Sequence, residues 1–173
     1  MKSNTISIVA IVLIIFVALF VWGYASKGGT TTSVNVVPGS SSTSKSVLTA
    51  PETLYDFGTI SMKDGNVVKE FVVSNPTEQD ITVSTVLTSC MCTTAFLVSP
   101  DGNSKGPFGM PGHGGTVPPA NEVIRAGESR NVRVVYDPNA HGPAGVGMVY
   151  RFVTLTDSTG GTLDLEIKVN VKP

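Results

Sequence analysis

Cysteine and histidine are scarce in this sequence. Two of each occur in 173 residues, and tryptophan occurs once. Any metal or nucleophile chemistry therefore has few possible actors. Charge is also thin, at 14% of residues with a net value of −1, against roughly a quarter in ordinary globular chains. No clustered Lys/Arg face exists, so no nucleic-acid partner is expected. The sequence holds no G-x-S-x-G elbow, no phosphate loop and no H-E-x-x-H helix. Its acidic residues are scattered, and Asp101, Asp137 and Asp157 sit in turn contexts, where Asp is the default. No enzymatic activity and no small-molecule substrate are expected.

What the chain has in excess is apolar residues at one end. Positions 6–22 are 17 consecutive residues without charge, and only Ser7 is polar. Extended to Tyr24, the run nearly spans a ~30 Å hydrocarbon core at 1.5 Å per residue. Trp22 and Tyr24 stand where amphipathic rings favour the headgroup level. The segment 1–25 is thus expected to be a retained N-terminal transmembrane helix. A cleaved signal peptide is the rival, although Gly23-Tyr24-Ala25 makes a weak site. The positive-inside bias favours a single-pass protein with its C-terminal bulk outside the cytoplasm. In 26–46, fifteen of 21 residues are Gly, Ser, Thr or Pro. Such a segment reads as a flexible linker, unable to bury enough apolar surface to offset its ordering entropy.

From residue 47 to 173 the texture is β throughout. Across 48–173, nine basic residues face thirteen acidic ones. Alternating runs predict strands at 54–60, 66–74, 81–87, 93–98, 130–136, 148–156 and 162–171. In the second, Val67, Lys69, Phe71 and Val73 share a face, and in the third Ile81, Val83, Thr85 and Leu87 do so. Asn75-Pro76 ends the second, and residues 157–161 carry a hairpin signature. No helical periodicity of useful length follows the anchor. The expected fold is all-β, an immunoglobulin-like β-sandwich of about seven strands. Two stretches break its rhythm. Residues 100–119 hold 11 Gly or Pro in 20, and 141–147 hold four in seven. The first is expected to be a long Gly/Pro-rich loop over 99–122, either functional or a floppy insertion.

Both cysteines lie in Ser89-Cys90-Met91-Cys92-Thr93. Three readings remain open. Exported cysteines are normally paired, but in an extended chain residues i and i+2 are about 6.5–7 Å apart, at the limit for a bridge. Two buried structural thiols are a second possibility. In the third, the two side chains project to one side and converge on a metal ion. Thiolate and thioether donors suit Cu(I). Met110 and His113 of the long loop, His141 of the short one, and Met91 or Met148 could complete its set. A Cys2His2 zinc site of Cys90, Cys92, His113 and His141 is the alternative, with spacings of 20 and 27 residues that match no standard finger.

Several elements, taken in order, resemble the bacterial family called domain of unknown function 1573. They are Phe57-Gly58-Thr59-Ile60, Phe71 with Val73 and Asn75, Thr88-Ser89-Cys90-x-Cys92-Thr93, Ala126-Gly127-Glu128-Ser129 and Val134-Val135-Tyr136-Asp137-Pro138. The resemblance covers about 54–171, with Ser-Cys-x-Cys-Thr as its hallmark. It implies an immunoglobulin-like sandwich and export, and no assigned activity. Two departures stand out. Met91 replaces the usual Gly between the cysteines, and 99–122 is longer than the family core. Both add soft donors near the cysteine pair.

The resulting expectation is a membrane-anchored extracytoplasmic domain that binds a soft metal, Cu(I), through Cys90 and Cys92 with Met110, His113 or His141. A structural or interaction module with an envelope protein partner is the alternative. A thiol-redox protein ranks third, because no Lys, Arg or His within three residues lowers a cysteine pKa.

Overall fold

The computed structural model describes residues 44–113 and 116–173. The expected anchor and most of the expected linker lie outside the described residues. Among the described residues, no helix is long and apolar enough to cross a membrane.

Among the described residues, nine strands form two sheets. They are β1 (Leu54–Ser61), β2 (Val67–Ser74), β3 (Ile81–Thr88), β4 (Thr93–Val98), β5 (Ser104–Phe108), β6 (Glu122–Ile124), β7 (Ser129–Tyr136), β8 (Gly147–Asp157) and β9 (Thr162–Lys172). The sheets are ordered β1-β9-β8-β3-β6 and β2-β7-β4-β5. Their inner faces close on one core, with Phe71, Val73, Leu97, Val132 and Val134 from the four-stranded sheet. Val83, Val86, Leu155, Leu165 and Ile167 oppose them from the five-stranded one. The alternation of β2 holds, since Phe71 and Val73 are buried while Val68 and Val72 are exposed.

Three expectations change. First, nine strands replace about seven; β5 comes from within the Gly/Pro-rich 99–122 stretch and β6 begins at its last residue. β5 folds back on β4 as an antiparallel hairpin that pairs Ala95 with Phe108. β6 adds to β3. Phe108 is only 1% exposed, so its apolar ring anchors what composition alone reads as a loop. Gly106 permits this, because a Cβ there would lie 2.9 Å from the carbonyl oxygen of Ala95.

Second, the inward face of β3 changes partway along. The register against β8 shifts between Val83 and Thr85, so Val86 and Thr88 turn inward in place of Thr85 and Leu87. Such a bulge inserts one residue and inverts the parity of everything after it. Third, residues 44–46, expected in the linker, join the folded unit. Ser46 donates from its backbone to Thr162 and from its hydroxyl to Asp157.

Asp157 anchors the β8–β9 hairpin. Its Oδ1 accepts from the Thr159 hydroxyl and from the Thr159 and Gly161 backbones. Burial pushes its carboxyl up, but the Ser46 and Thr159 hydroxyls and these backbone donors hold it below the ordinary value. A carboxyl depressed in the fold contributes stability above its unfolded pKa of about 3.9, and loses it as pH falls through the folded value. Asp157→Asn is therefore expected to cost roughly 1–3 kcal/mol at pH 7 and to flatten the acid limb of stability. Melting temperatures from pH 3 to 7 check this, and an acid limb as steep as that of the parent would contradict it.

Candidate functional site

Two inter-sheet crossings meet at one end of the sandwich. The β3–β4 crossing carries Cys90-Met91-Cys92, and the β7–β8 crossing carries His141 ahead of a single 3-10 turn, Gly142–Gly145. They are held together because β4 and β7 pair, with Thr93 opposite Tyr136. The Asp137 amide also donates to the Cys92 carbonyl. On the other sheet, β8 runs antiparallel to β3, with Val153 opposite Thr88, which brings Arg151 to the same end.

The cysteine segment is not extended. The Thr93 amide donates to the Cys90 carbonyl, closing a tight turn, and the Thr88 hydroxyl caps the same oxygen. This brings the two Cα atoms to 5.3 Å, well inside bridging range, and the sulfurs pair as a disulfide. Cys90 is 7% exposed and Cys92 2%.

Each sulfur has a polar neighbour from a distant strand or crossing. His141 Nε2 lies 3.1 Å from Cys90 Sγ, and Arg151 Nε donates to Cys92 Sγ at 3.1 Å. The Arg151 Nη1 group is fixed on the Tyr150 carbonyl. Beneath them, burial pushes the Tyr136 phenol up while the Arg151 charge pulls the other way. The donor atoms of Cys90, Cys92 and His141 all lie within 4.8 Å of one another. His141 and Arg151 also line a groove of about 520 Å³ with Val146, Met148 and Tyr150.

His141 thus joins the cysteines as the sequence expects. Met110 and His113 line a cleft of about 370 Å³ with Phe108, Pro118 and two neighbours of the cysteines, Met91 and Thr93, and His113 is not in the three-residue group. The chain after β5 returns to the end of β3, where the Thr88 amide donates to the Gly109 carbonyl. Arg151 is the residue that sequence reasoning missed. It stands 59 positions from Cys92, but a signal exists. Val149, Arg151, Val153 and Leu155 share the inward face of β8, and an inward charge needs a partner.

A charge-paired dithiol beside an imidazole supports two kinds of chemistry, soft-metal coordination and thiol–disulfide exchange. The chain resembles a protein of unknown function from Porphyromonas gingivalis W83 at 14% identity and a TM-score of 0.51. That likeness covers 78% of this chain and 51% of that one. The chain therefore spans about half the length of that relative. It is also similar to the secreted serine protease VesC from Vibrio cholerae, at 15% identity and a TM-score of 0.45, over 72% of this chain and 23% of that one. A third likeness is to the CupB2 chaperone of Pseudomonas aeruginosa, at 12% identity and 0.39, over 71% and 55%. Likenesses at this identity concern the fold and not the function. No curated protein matches the chain. Residues 48–100, which include both cysteines but stop where the Gly/Pro-rich stretch begins, match the family described as protein of unknown function (DUF1573).

Proposed function

We propose that this is a membrane-tethered, extracytoplasmic, immunoglobulin-like domain whose reduced Cys90 and Cys92, with His141, hold one soft metal ion, Cu(I). The observation that carries the reading is the convergence of two sulfurs and one imidazole nitrogen within 4.8 Å, from crossings 51 residues apart. Thiolates suit Cu(I) and zinc, and imidazole suits both as well. Two thiolates around one monovalent ion leave a net charge of −1, and the Arg151 guanidinium stands beside Cys92 to balance it. Structural zinc asks for four protein donors. The fourth donor expected from sequence, His113, lines the other cleft, so the set favours copper over zinc. The disulfide must be reduced before it can take an ion, because the thiolate is the ligand.

The test is anaerobic titration of the reduced full chain, in detergent micelles, with Cu(I) against a competing chelator. One copper per chain is expected, with binding abolished in Cys90→Ser/Cys92→Ser and weakened in His141→Ala. Met110→Ala and His113→Ala should bind as the parent does. Undiminished binding in the double cysteine variant would sink the reading.

A second reading has its own support. Met148, Tyr150 and Phe152 project in a row from the outer face of β8, each more than 40% exposed. An exposed apolar row suits an envelope protein partner.

A further inference from the structure

We propose that Cys90–Cys92 also undergoes thiol–disulfide exchange, with Cys90 as the attacked sulfur and Cys92 as the leaving thiolate. This uses the sulfurs of the proposed metal site but needs no metal, so the two ideas fail separately.

The assignment rests on the asymmetry of the pair. Cys90 is the more exposed residue of the pair, at 7% against 2%, and its neighbour His141 is exposed on the groove wall. Cys92 is nearly sealed and receives the Arg151 Nε hydrogen bond. Exchange is faster when the incoming thiolate reaches its sulfur freely and the leaving thiolate is stabilised. A charge-assisted hydrogen bond from a guanidinium supplies that stabilisation. A thiol entering the groove therefore arrives beside His141, whose Nε2 lies 3.1 Å from Cys90 Sγ.

The balance is complete with two thiols as reductant. The first, deprotonated, attacks Cys90 Sγ. The Cys90–Cys92 bond breaks and its electron pair goes to Cys92 Sγ. A mixed disulfide remains on Cys90. The second thiolate attacks the outer sulfur of that mixed disulfide and leaves with it as a new disulfide, while Cys90 Sγ takes the electron pair beside His141. Two electrons pass to the protein, and the two protons released by the thiols protonate its two sulfurs. The shared chemistry is a thiol, whether on a small molecule or on a protein cysteine. The apolar side chains of Val146, Met148 and Tyr150 at the groove suit the flanks of a cysteine in a polypeptide.

The experiment uses the full metal-free chain in micelles. Single-cysteine variants are treated with oxidised glutathione, and mixed-disulfide formation is followed by mass spectrometry. Cys92→Ser, which leaves Cys90, is expected to react at least about tenfold faster than Cys90→Ser, given the difference in access. Separately, the oxidised parent is opened with excess reduced glutathione. Arg151→Met should slow the opening about tenfold, Arg151→Lys should recover part of the rate, and melting temperature should stay put. Equal rates for the two cysteine variants, or an Arg151→Met variant that opens as fast as the parent, overturn the assignment. A parallel arm replaces glutathione with a peptide bearing one cysteine between apolar residues. A rate advantage lost in Tyr150→Ala identifies a polypeptide thiol, and equal rates identify a small one. Both results uphold Cys90 as the attacked sulfur.

Discussion

Glu122→Ala is expected to lower the unfolding free energy by about 3–5 kcal/mol, the range for removing one partner of a buried ion pair. Glu122 belongs to β6 on one sheet and Arg130 to β7 on the other, so their contact joins the two sheets. Arg130 Nε meets Glu122 Oε1 at 2.7 Å, and both side chains are at most 10% exposed. Lys105 of β5 closes on the second oxygen at 2.6 Å. Burial pushes the Glu122 carboxyl up, but the Arg130 and Lys105 hydrogen bonds outweigh it and hold the carboxyl below its ordinary value. Without Glu122, Arg130 keeps Glu128 and the Val123 carbonyl, which points to the lower end of the range. The double variant Glu122→Leu/Arg130→Met should cost less than the single one, because no charge is stranded. Urea denaturation of both variants decides. A single-variant cost below ~1 kcal/mol, the worth of a surface pair, would refute the cross-sheet role.

Phe108→Ala should cost a similar amount, about 3–5 kcal/mol, as for other buried phenylalanines. Its ring is 1% exposed in the common core, yet it belongs to a stretch with more than half its residues Gly or Pro. A floppy insertion would tolerate the change within about 0.5 kcal/mol. The measurement therefore separates a structural hairpin from a spacer. It also carries a functional control, since the stretch anchored by Phe108 carries Met110 and His113. Copper binding by folded Phe108→Ala should match that of the parent, and a stoichiometric change would mean that the long loop contributes ligands.

Much of the fold was legible because sheet burial writes a period of two into the chain. The seven runs read from alternation reappear as strands whose ends differ by at most one residue. β5 and β6 escaped for a physical reason. β5 buries only Phe108, and β6 is three residues long, so neither repeats often enough to show a period. The bulge on β3 escaped because parity is a local rule, and one inserted residue inverts it without changing composition. At the site, Cys90, Cys92 and His141 were legible as rare residue types in Gly-rich or turn contexts. Met110 and His113 were placed with them on donor chemistry alone, and the structure puts both in the cleft that Met91 also lines.

Alternation by itself determined the all-β class, the strand positions and most of the inward faces. The folded strands place Glu122, Arg130, Arg151 and Asp157 at inward positions that the sequence reading did not mark. Only the tertiary structure decided what those charges meet: Glu122 with Arg130, Asp157 with Ser46, and Arg151 with Cys92. The physical reason is separation, along the chain for two of these pairs and between the two sheets for Glu122 and Arg130, which are eight residues apart. Which strands become neighbours is set by how two sheets close over a shared core, and partners 59 or 111 residues apart leave no mark on each other's local sequence.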